Sequence, residues 1–378
     1  MNKQIRKTYQ FKLYQSKKLS TLHDQVNISG IIWNHCVALH KRYYRLFGKS
    51  LNVYQLQKHI TKLKKHEKHA FWKLVPSQAI QDITSRVDKA YAKFFDDLKR
   101  KQRTSPPKFK AVRRYKSFTL KQAGWKLDSN ILTIGKRTFK LFLSRELKGT
   151  VKTVTIKRNS LGEFFVYFSV IEDASQSIFT SGKSAGLDFG LKTFLTVSDG
   201  SEIHSPEFFK TNLGLIQQAS RGLSTKKKGS NNRAKARLHL ARVHDKTLNQ
   251  RKDFFFKLAK ELTQKFDYIS IEDLNISAMS KLWGRKISDL AFSEFVQILE
   301  SQGQKYFCEF TKVGRFYPSS KTCFDCGNIN KELKLEQRTW TCPGCNSLLH
   351  RDKNASLNLD REGERVRTLT HKVDKTAA

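Results

Sequence analysis

The sequence contains no long apolar run. No stretch of its 378 residues approaches the 18 or so apolar side chains that a helix needs to cross a bilayer. The first residues, MNKQIRKTYQFKLYQ, alternate charged and apolar side chains, and the continuous apolar segment of a secretory leader is missing from them. We therefore expect a cytoplasmic protein without a membrane span.

Acidic residues are scarce relative to basic ones. The chain has 33 Asp and Glu against 72 Lys and Arg, which gives a net charge of +39. A single basic run would indicate only a solvated face, but here the excess recurs along the whole chain, as in KLKKHEKH, KRKQR, KFKAVRRYK and STKKKGSNNRAKAR. Such self-repulsion is tolerated chiefly where a polyanion neutralises it. Membrane binding would concentrate the charge on one amphipathic face, and none dominates. The composition predicts a nucleic-acid partner.

Cysteines are few, and four of the six are paired in sequence. Cys36 and Cys308 stand alone, whereas the others form two C-x-x-C motifs separated by fifteen residues: Cys323, Cys326, Cys342 and Cys345. This spacing is typical of a zinc ribbon, in which four thiolates bind one structural Zn²⁺ tetrahedrally. The alternatives are disulfides, which a cytosolic location disfavours, and a thioredoxin-type redox site, which would require a βαβ pattern that is missing here.

Hydrophobic periodicity divides the chain into segments. An alternating strand pattern at the N-terminus is followed by helical patterns up to about residue 100, and then by a basic linker that contains Pro106 and Pro107. Strand patterns dominate from there to 171. Beyond 181, short apolar strands alternate with a long basic helical region and further helices. This order predicts a multidomain α+β protein.

Three acidic residues stand at the ends of predicted elements in the second half of the chain. Asp188 and Glu272 each end an apolar strand, and Asp352 begins a helix directly after the second C-x-x-C motif. Each alone could be a strand end at the surface or a helix N-cap. Together they can converge on one edge of a sheet, and phosphodiester hydrolysis with two Mg²⁺ ions needs such a carboxylate cluster.

The same motifs resemble a known family. GLDFGLKTFLTVSDG and YISIEDLNI are similar to the first two RuvC motifs of the transposon-encoded TnpB proteins, which are RNA-guided DNA endonucleases related to type V CRISPR effectors. SSKTCFDCG, RTWTCPGC and HRDKNASLNL resemble their zinc finger and third RuvC motif. Two positions depart from the family pattern: His350 replaces an acid, and Asn346 stands where Gly is common. Neither removes one of the three acids Asp188, Glu272 and Asp352 or one of the four cysteines of the C-x-x-C motifs.

The resemblance implies an architecture. It comprises an RNase H-like (RuvC) α/β nuclease domain with a zinc-ribbon insert, and a β-barrel-like wedge domain with a helical recognition insert. The expected boundaries are 1–15 and 105–180 for the wedge domain, 16–104 for the helical insert, 181–360 for the nuclease domain with its zinc insert at 319–347, and 361–378 for a mobile tail.

The resemblance also implies a mechanism. A guide RNA encoded by the transposon would pair with one strand of double-stranded DNA, and the protein would read only a short adjacent motif. Asp188, Glu272 and Asp352 would bind two catalytic Mg²⁺ ions. Tyr54 and Gln81 align with family positions that contact the adjacent motif, although Tyr54 could equally be a core residue. We expect a monomer associated with the nucleoid of a prokaryotic cell.

Two other functions remain open at this point. A non-cleaving RNA-guided DNA-binding repressor would be marked by loss of one or more of the three acids, and all three are present. An accessory zinc-ribbon DNA-binding protein without a guide would not need the RuvC motifs.

Overall fold

The computed structural model of the chain describes residues 4–173, 181–334 and 336–376, without the side chains of Arg285 and residues 371–376. It divides into two compact units, Met1–Ala174 and Ser175–Ala378. Residue 180, the predicted end of the wedge domain, lies outside the described residues. Among the described residues, no helix combines the length and the apolar character that crossing a membrane requires.

The first unit contains an antiparallel sheet of seven strands. They are β1 Gln4–Leu13, β2 Ser117–Leu120, β3 Trp125–Asp128, β4 Ile131–Ile134, β5 Arg137–Phe142, β6 Thr150–Arg158 and β7 Phe164–Asp173. Their order is β2-β6-β7-β1-β5-β4-β3, so the first strand pairs with β7 and β5 in the middle of the sheet. Along β7 buried residues alternate with partly exposed ones, as expected for a sheet with one face on a core.

The helices of this unit follow β1 in the chain. They are α1 Leu19–Phe47, α2 Val53–Leu63 and α3 Ser77–Lys99, with 3-10 helices at Glu67–Leu74 and Val112–Arg114. Asn52 and Gln55 form a capping box that begins α2. Ile83, Val87 and Tyr91 of α3 recur at helical spacing and are buried, so this face of the helix packs on the core.

The second unit contains a mixed sheet of five strands. They are β8 Ser184–Phe189, β9 Leu195–Val197, β10 Glu202–Ile203, β11 Tyr268–Glu272 and β12 Glu309–Val313. The order is β10-β9-β8-β11-β12, with β8 to β10 antiparallel and β11 parallel to both β8 and β12. A separate hairpin pairs β13 Thr339–Thr341 with β14 Leu348–His350.

Six helices accompany this sheet in the described residues. They are α4 Phe208–Thr211, α5 Leu213–Ser224, α6 Asn231–Lys265, α7 Ile276–Leu290, α8 Phe292–Tyr306 and α9 Arg351–Thr376. An aromatic cluster of Phe194, Phe255, Phe292 and Phe295 forms the centre of the core. Helix α9 continues past residue 360, where the sequence placed the start of a tail.

Candidate functional site

The first two acidic residues occupy adjacent strands at neighbouring positions. Strands β8 and β11 are parallel, and Leu187 pairs with Ile271 in their register. The next residues are Asp188 and Glu272, so both carboxylates leave the sheet at the carboxyl ends of parallel strands. Side chains alternate between the two faces of a strand, which places Asp188 on the face of Gly186 and Glu272 on the face of Ser270.

Helix α9 covers this face at very close range. A methyl group added to Gly186 would overlap the carbonyl oxygen of Ser356, and one added to Gly363 would overlap the hydroxyl of Ser270. Gly186 and Ser270 are register partners, so α9 crosses β8 and β11 at the same level of the sheet, and its first turn precedes the turn that contacts Gly186. Asp352 lies in that first turn.

The carboxyl group of Asp188 interacts electrostatically with those of Asp352 and Glu272. Burial, together with the negative charges of Asp352 and Glu272, raises the pKa of Asp188 to about 7. Burial and the neighbouring charge of Asp273 raise the pKa of Glu272 as well. The raised pKa of Asp188 means that burial and nearby negative charge disfavour its ionised form more than Arg351 and Arg338 favour it, and a bound cation would offset this. The structure thus places Asp188 within electrostatic range of the other two acids that the sequence singled out.

Arg338 also belongs to this cluster, and sequence reasoning missed it. Its Nη1 donates to both carboxylate oxygens of Asp352, at 3.1 and 3.2 Å. The carbonyl oxygen of Arg338 accepts from the Arg351 amide at 2.7 Å, which fixes the arginine beside the start of α9. Arg338 lies fourteen positions before Asp352 in the sequence, and no hydrophobic periodicity or motif indicates that the two side chains meet.

The four cysteines of the two C-x-x-C motifs form a tighter group than the acids. Within the described ranges, they are the only set of at least three Cys, His, Asp or Glu side chains whose ligand atoms all lie within 4.8 Å of one another. The Sγ atoms of Cys323 and Cys345 are 3.7 Å apart, and those of Cys326 and Cys342 are 3.6 Å apart. Tetrahedral ligation at about 2.3 Å per bond requires sulfur separations of about 3.8 Å. The cluster could therefore hold a zinc ion.

Backbone amides donate to thiols of both motifs, although burial raises the pKa of Cys323 to about 12. Burial opposes ionisation of Cys342, but hydrogen bonds from the amides of Gly344 and Cys345 and from neighbouring thiols lower its pKa to about 6. Gly327 and Asn346 follow the last cysteine of each motif in the left-handed region, with φ of 76° and 59°. This conformation explains why Gly is common at the position of Asn346, since Asn is among the few other residues that adopt it readily.

Two buried asparagines tie the first cysteine motif to α9. The side-chain amide of Asn354 donates to Thr322 O at 2.7 Å, and its oxygen accepts from the Phe324 amide at 2.9 Å. One helical turn later, the amide of Asn358 donates to Ser319 O at 2.9 Å. The cysteine cluster is thereby fixed to the helix that carries Asp352.

The two residues predicted to contact DNA lie in the first unit. Tyr54 is 77% exposed on α2, so it is not a core residue. Gln81 is exposed on α3, and α2 and α3 are joined by a hydrogen bond from Gln57 to Thr84. Their contact with DNA stays a prediction.

Comparison with known proteins identifies the family. Residues 168–282 match a family model described as "Probable transposase" (OrfB_IS605), and residues 292–359 match the "Cas12f1-like, TNB domain". A Streptomyces pristinaespiralis protein named "Putative RNA-guided DNA endonuclease" is 30% identical over 95% of this chain and 90% of its own length. The chain belongs to the TnpB family of transposon-encoded RNA-guided DNA endonucleases. This confirms the family predicted from the motifs.

Other relatives of this TnpB chain agree. The Escherichia coli (strain K12) protein named "Putative RNA-guided DNA endonuclease InsQ" is 28% identical over 77% of this chain and 75% of its own length. Among solved structures, the cryo-EM structure of the Cas12f1–sgRNA–target DNA complex aligns with a TM-score of 0.59 and 16% identity, covering 91% of this chain and 83% of that one. At this identity the likeness concerns the fold, which is a mixed α/β one.

Proposed function

We propose that this TnpB protein binds a guide RNA encoded by its transposon and cuts matching double-stranded DNA beside a short adjacent motif, with Asp188, Glu272 and Asp352 as the catalytic metal ligands. The observation that supports the proposal is the convergence of these three acids. A chain of net charge +39 would attract phosphate almost anywhere on its surface, yet it gathers carboxylates at one sheet edge where their mutual repulsion is costly.

The donor set fits Mg²⁺, which prefers carboxylate oxygens. Two Mg²⁺ ions bound there would activate water and stabilise the leaving oxygen of the scissile phosphodiester. Asp188 and Glu272 would hold the cations at the strand ends, and Asp352 would close the site from the helix. Arg338 pairs with Asp352 in the protein alone. If a metal took its place on that carboxylate, its guanidinium would be free to contact the phosphate.

The zinc cluster would act as a structural support. Asn354 and Asn358 join the first cysteine motif to α9, and His350 of β14 pairs with Thr339 immediately before that helix begins. The first cysteine motif and the β13–β14 hairpin would thus support the start of α9 from two directions. They would hold Asp352 in position without taking part in the reaction. Four thiolates complete the coordination of Zn²⁺ and leave no open position.

Nucleic acid would bind on basic surfaces of both units. The first half of α6, residues 231–246, has no buried residue and carries five Lys and Arg against one Asp. The names of the relatives and the composition of the Cas12f1 complex favour an RNA guide and a DNA target. The strand order β10-β9-β8-β11-β12 of the second unit favours the RNase H-like architecture that the motifs imply. We assign the seven-stranded sheet to a wedge domain. The helices after β1 would recognise DNA through Tyr54 and Gln81. The active form would be a monomer.

The test separates cutting from binding. Asp188→Ala, Glu272→Ala and Asp352→Ala are each loaded with guide RNA and assayed for cleavage of a guide-matched duplex and, in parallel, for binding to it. We expect cleavage of both strands to be abolished in each, with binding retained, because the basic surfaces and base pairing do not depend on these side chains. Glu202→Ala, an exposed acid on β10, is the matched control and should cut normally.

Two outcomes would contradict the proposal. If Asp352→Ala cleaves at the wild-type rate, Asp352 is not a catalytic metal ligand and serves only as a helix cap. Guide-dependent binding without any cleavage by the wild-type protein in Mg²⁺ would favour the non-cleaving repressor instead.

A further inference from the structure

Phe316 is the most exposed large apolar side chain among the described residues, at 94%. Isolated exposed apolar residues are common on protein surfaces, so exposure alone does not distinguish it. Its place in the fold does. It lies in the segment that leaves β12 and leads to the first cysteine motif, and the last residue of β12, Val313, pairs with Glu272 in the parallel register.

The segment around Phe316 is fixed to the strand that carries Glu272. The guanidinium of Arg315 donates to the carbonyl oxygen of Asp273 at 3.1 Å and to its carboxylate at 2.7 Å. The Asp273 amide in turn donates to Val313 O at 3.1 Å. These three bonds hold the residue before Phe316 beside the residue that follows Glu272.

The other side of the segment is fixed to the helix that carries Asp352. Tyr317 is half-buried, and its amide donates to Gly314 O at 2.9 Å, which closes a tight turn around Phe316. Ser319 is buried, and its carbonyl oxygen accepts from Asn358 of α9 at 2.9 Å. The ring is therefore presented to solvent by a backbone that is anchored on both sides to elements of the acidic cluster.

We propose that Phe316 is a stacking platform for an unpaired nucleobase next to the scissile phosphate, an inference that rests on the proposed nuclease function. Every base has an apolar face that stacks on aromatic rings, and such contacts do not depend on sequence. In a duplex both faces of a base are covered by its neighbours, so the ring selects a strand that has already been unpaired. Because the backbone on both sides of Phe316 is already fixed, stacking orders little of the protein beyond this one side chain.

The test uses the guide-loaded protein with Phe316 changed to Ala, Leu and Trp. Base–aromatic stacking is worth enough that its loss corresponds to about a 5- to 150-fold effect. We expect Phe316→Ala to slow single-turnover cleavage of a guide-matched duplex by a factor in this range, while the affinity for the duplex is unchanged. Phe316→Leu, which keeps apolar surface without a ring, should resemble Ala, and Phe316→Trp should restore the wild-type rate.

A second readout locates the base. 2-Aminopurine, whose fluorescence changes on stacking, is placed at successive positions around the cut site, with Ca²⁺ replacing Mg²⁺ to suppress cleavage. The signal at one or two positions should differ between the wild type and Phe316→Ala. Leu282→Ala, which removes another large apolar side chain that is 72% exposed, is the control and should leave rate and fluorescence unchanged.

The outcomes distinguish this inference from the proposed function. If the wild type cuts and Phe316→Ala or Phe316→Leu cuts equally fast, the stacking role is wrong while the nuclease function stands. If the wild type does not cut guide-matched DNA at all, the proposed function fails and the stacking role fails with it.

Discussion

Replacing Asp188 with Asn should stabilise the metal-free protein, and more so as the pH rises. Burial and the charges of Asp352 and Glu272 raise the pKa of Asp188 from its ordinary value of 3.8 to about 7. Between these two values the unfolded chain has released the proton and the folded protein keeps it, so the wild type loses stability as the pH rises from about 4 to about 7. Asn cannot ionise and does not incur this loss.

The size of the effect follows from the pKa difference. At about 1.4 kcal/mol per pKa unit, the advantage of Asp188→Asn should be about 2 kcal/mol at pH 5.5 and about 4 kcal/mol at pH 8, with no further growth above that. For a unit the size of Ser175–Ala378, 4 kcal/mol corresponds to a rise of about 8–16 °C in the melting temperature. These figures are upper limits, because the unfolded chain is taken as fully solvated.

The assay is calorimetry at both pH values in buffer free of Mg²⁺ and of strong chelators, so that zinc stays bound. Adding Mg²⁺ should shrink the advantage of the Asn variant: at about a hundredfold above its Kd, a ligand adds about 2.7 kcal/mol to the protein that binds it, and the Asn variant has lost a carboxylate. Glu202→Gln serves as the control, with an expected change within about 0.5 kcal/mol. An advantage of Asp188→Asn that is absent, or equal at pH 5.5 and pH 8, would show that Asp188 is not in a desolvated acidic cluster.

Three further predictions concern zinc, packing and charge. Metal analysis should find about one zinc per chain, and Cys326→Ser should lower both the zinc content and the melting temperature, because one of four thiolates is lost; unchanged melting of a zinc-free preparation would contradict a structural ion. Gly363→Ala should cost about 1–3 kcal/mol, because the added methyl overlaps Ser270, whereas Gly222→Ala on α5, with open space around it, should be neutral or stabilising; similar melting curves for the two variants would contradict the close approach of α9. Affinity for nucleic acid, measured by filter binding, should fall by about 10³- to 10⁵-fold between 50 and 200 mM salt if six to ten phosphates are neutralised; a flat response would exclude a polyanion partner held by charge.

The features that the sequence predicted well depend on neighbours in the chain. The C-x-x-C spacing is a local constraint on four sulfurs, and the structure brings all four within ligand distance. Apolar strands that each end in an acid predict carboxylates at one edge of a sheet, and Asp188 and Glu272 occupy neighbouring positions on the parallel strands β8 and β11. In both cases each motif occupies no more than about twenty residues, where periodicity and spacing can be recognised, although the two acids lie in separate motifs.

The features that it did not predict depend on contacts between distant segments. Arg338 bonds Asp352 because the β13–β14 hairpin returns beside α9, and nothing in the run RTW distinguishes this arginine from the other basic residues of a chain with net charge +39. The solvent exposure of a side chain could not be predicted from the sequence either. Phe316 is one of 27 phenylalanines, and it is exposed whereas the neighbouring Tyr317 is half-buried.

The absence of two side chains decides whether the three acids form one site. Asp352 reaches the strand ends only because α9 lies against β8 and β11 without intervening side chains, at Gly186 on the sheet and Gly363 on the helix. Each of these glycines is flanked in sequence by ordinary core or polar residues, so each resembles a weak point in a strand or a helix. In the structure they set the distance between the helix and the sheet. A larger residue at either position would move the helix away and leave Asp188 and Glu272 without their third carboxylate, even though every acidic residue of the motif would still be present in the sequence.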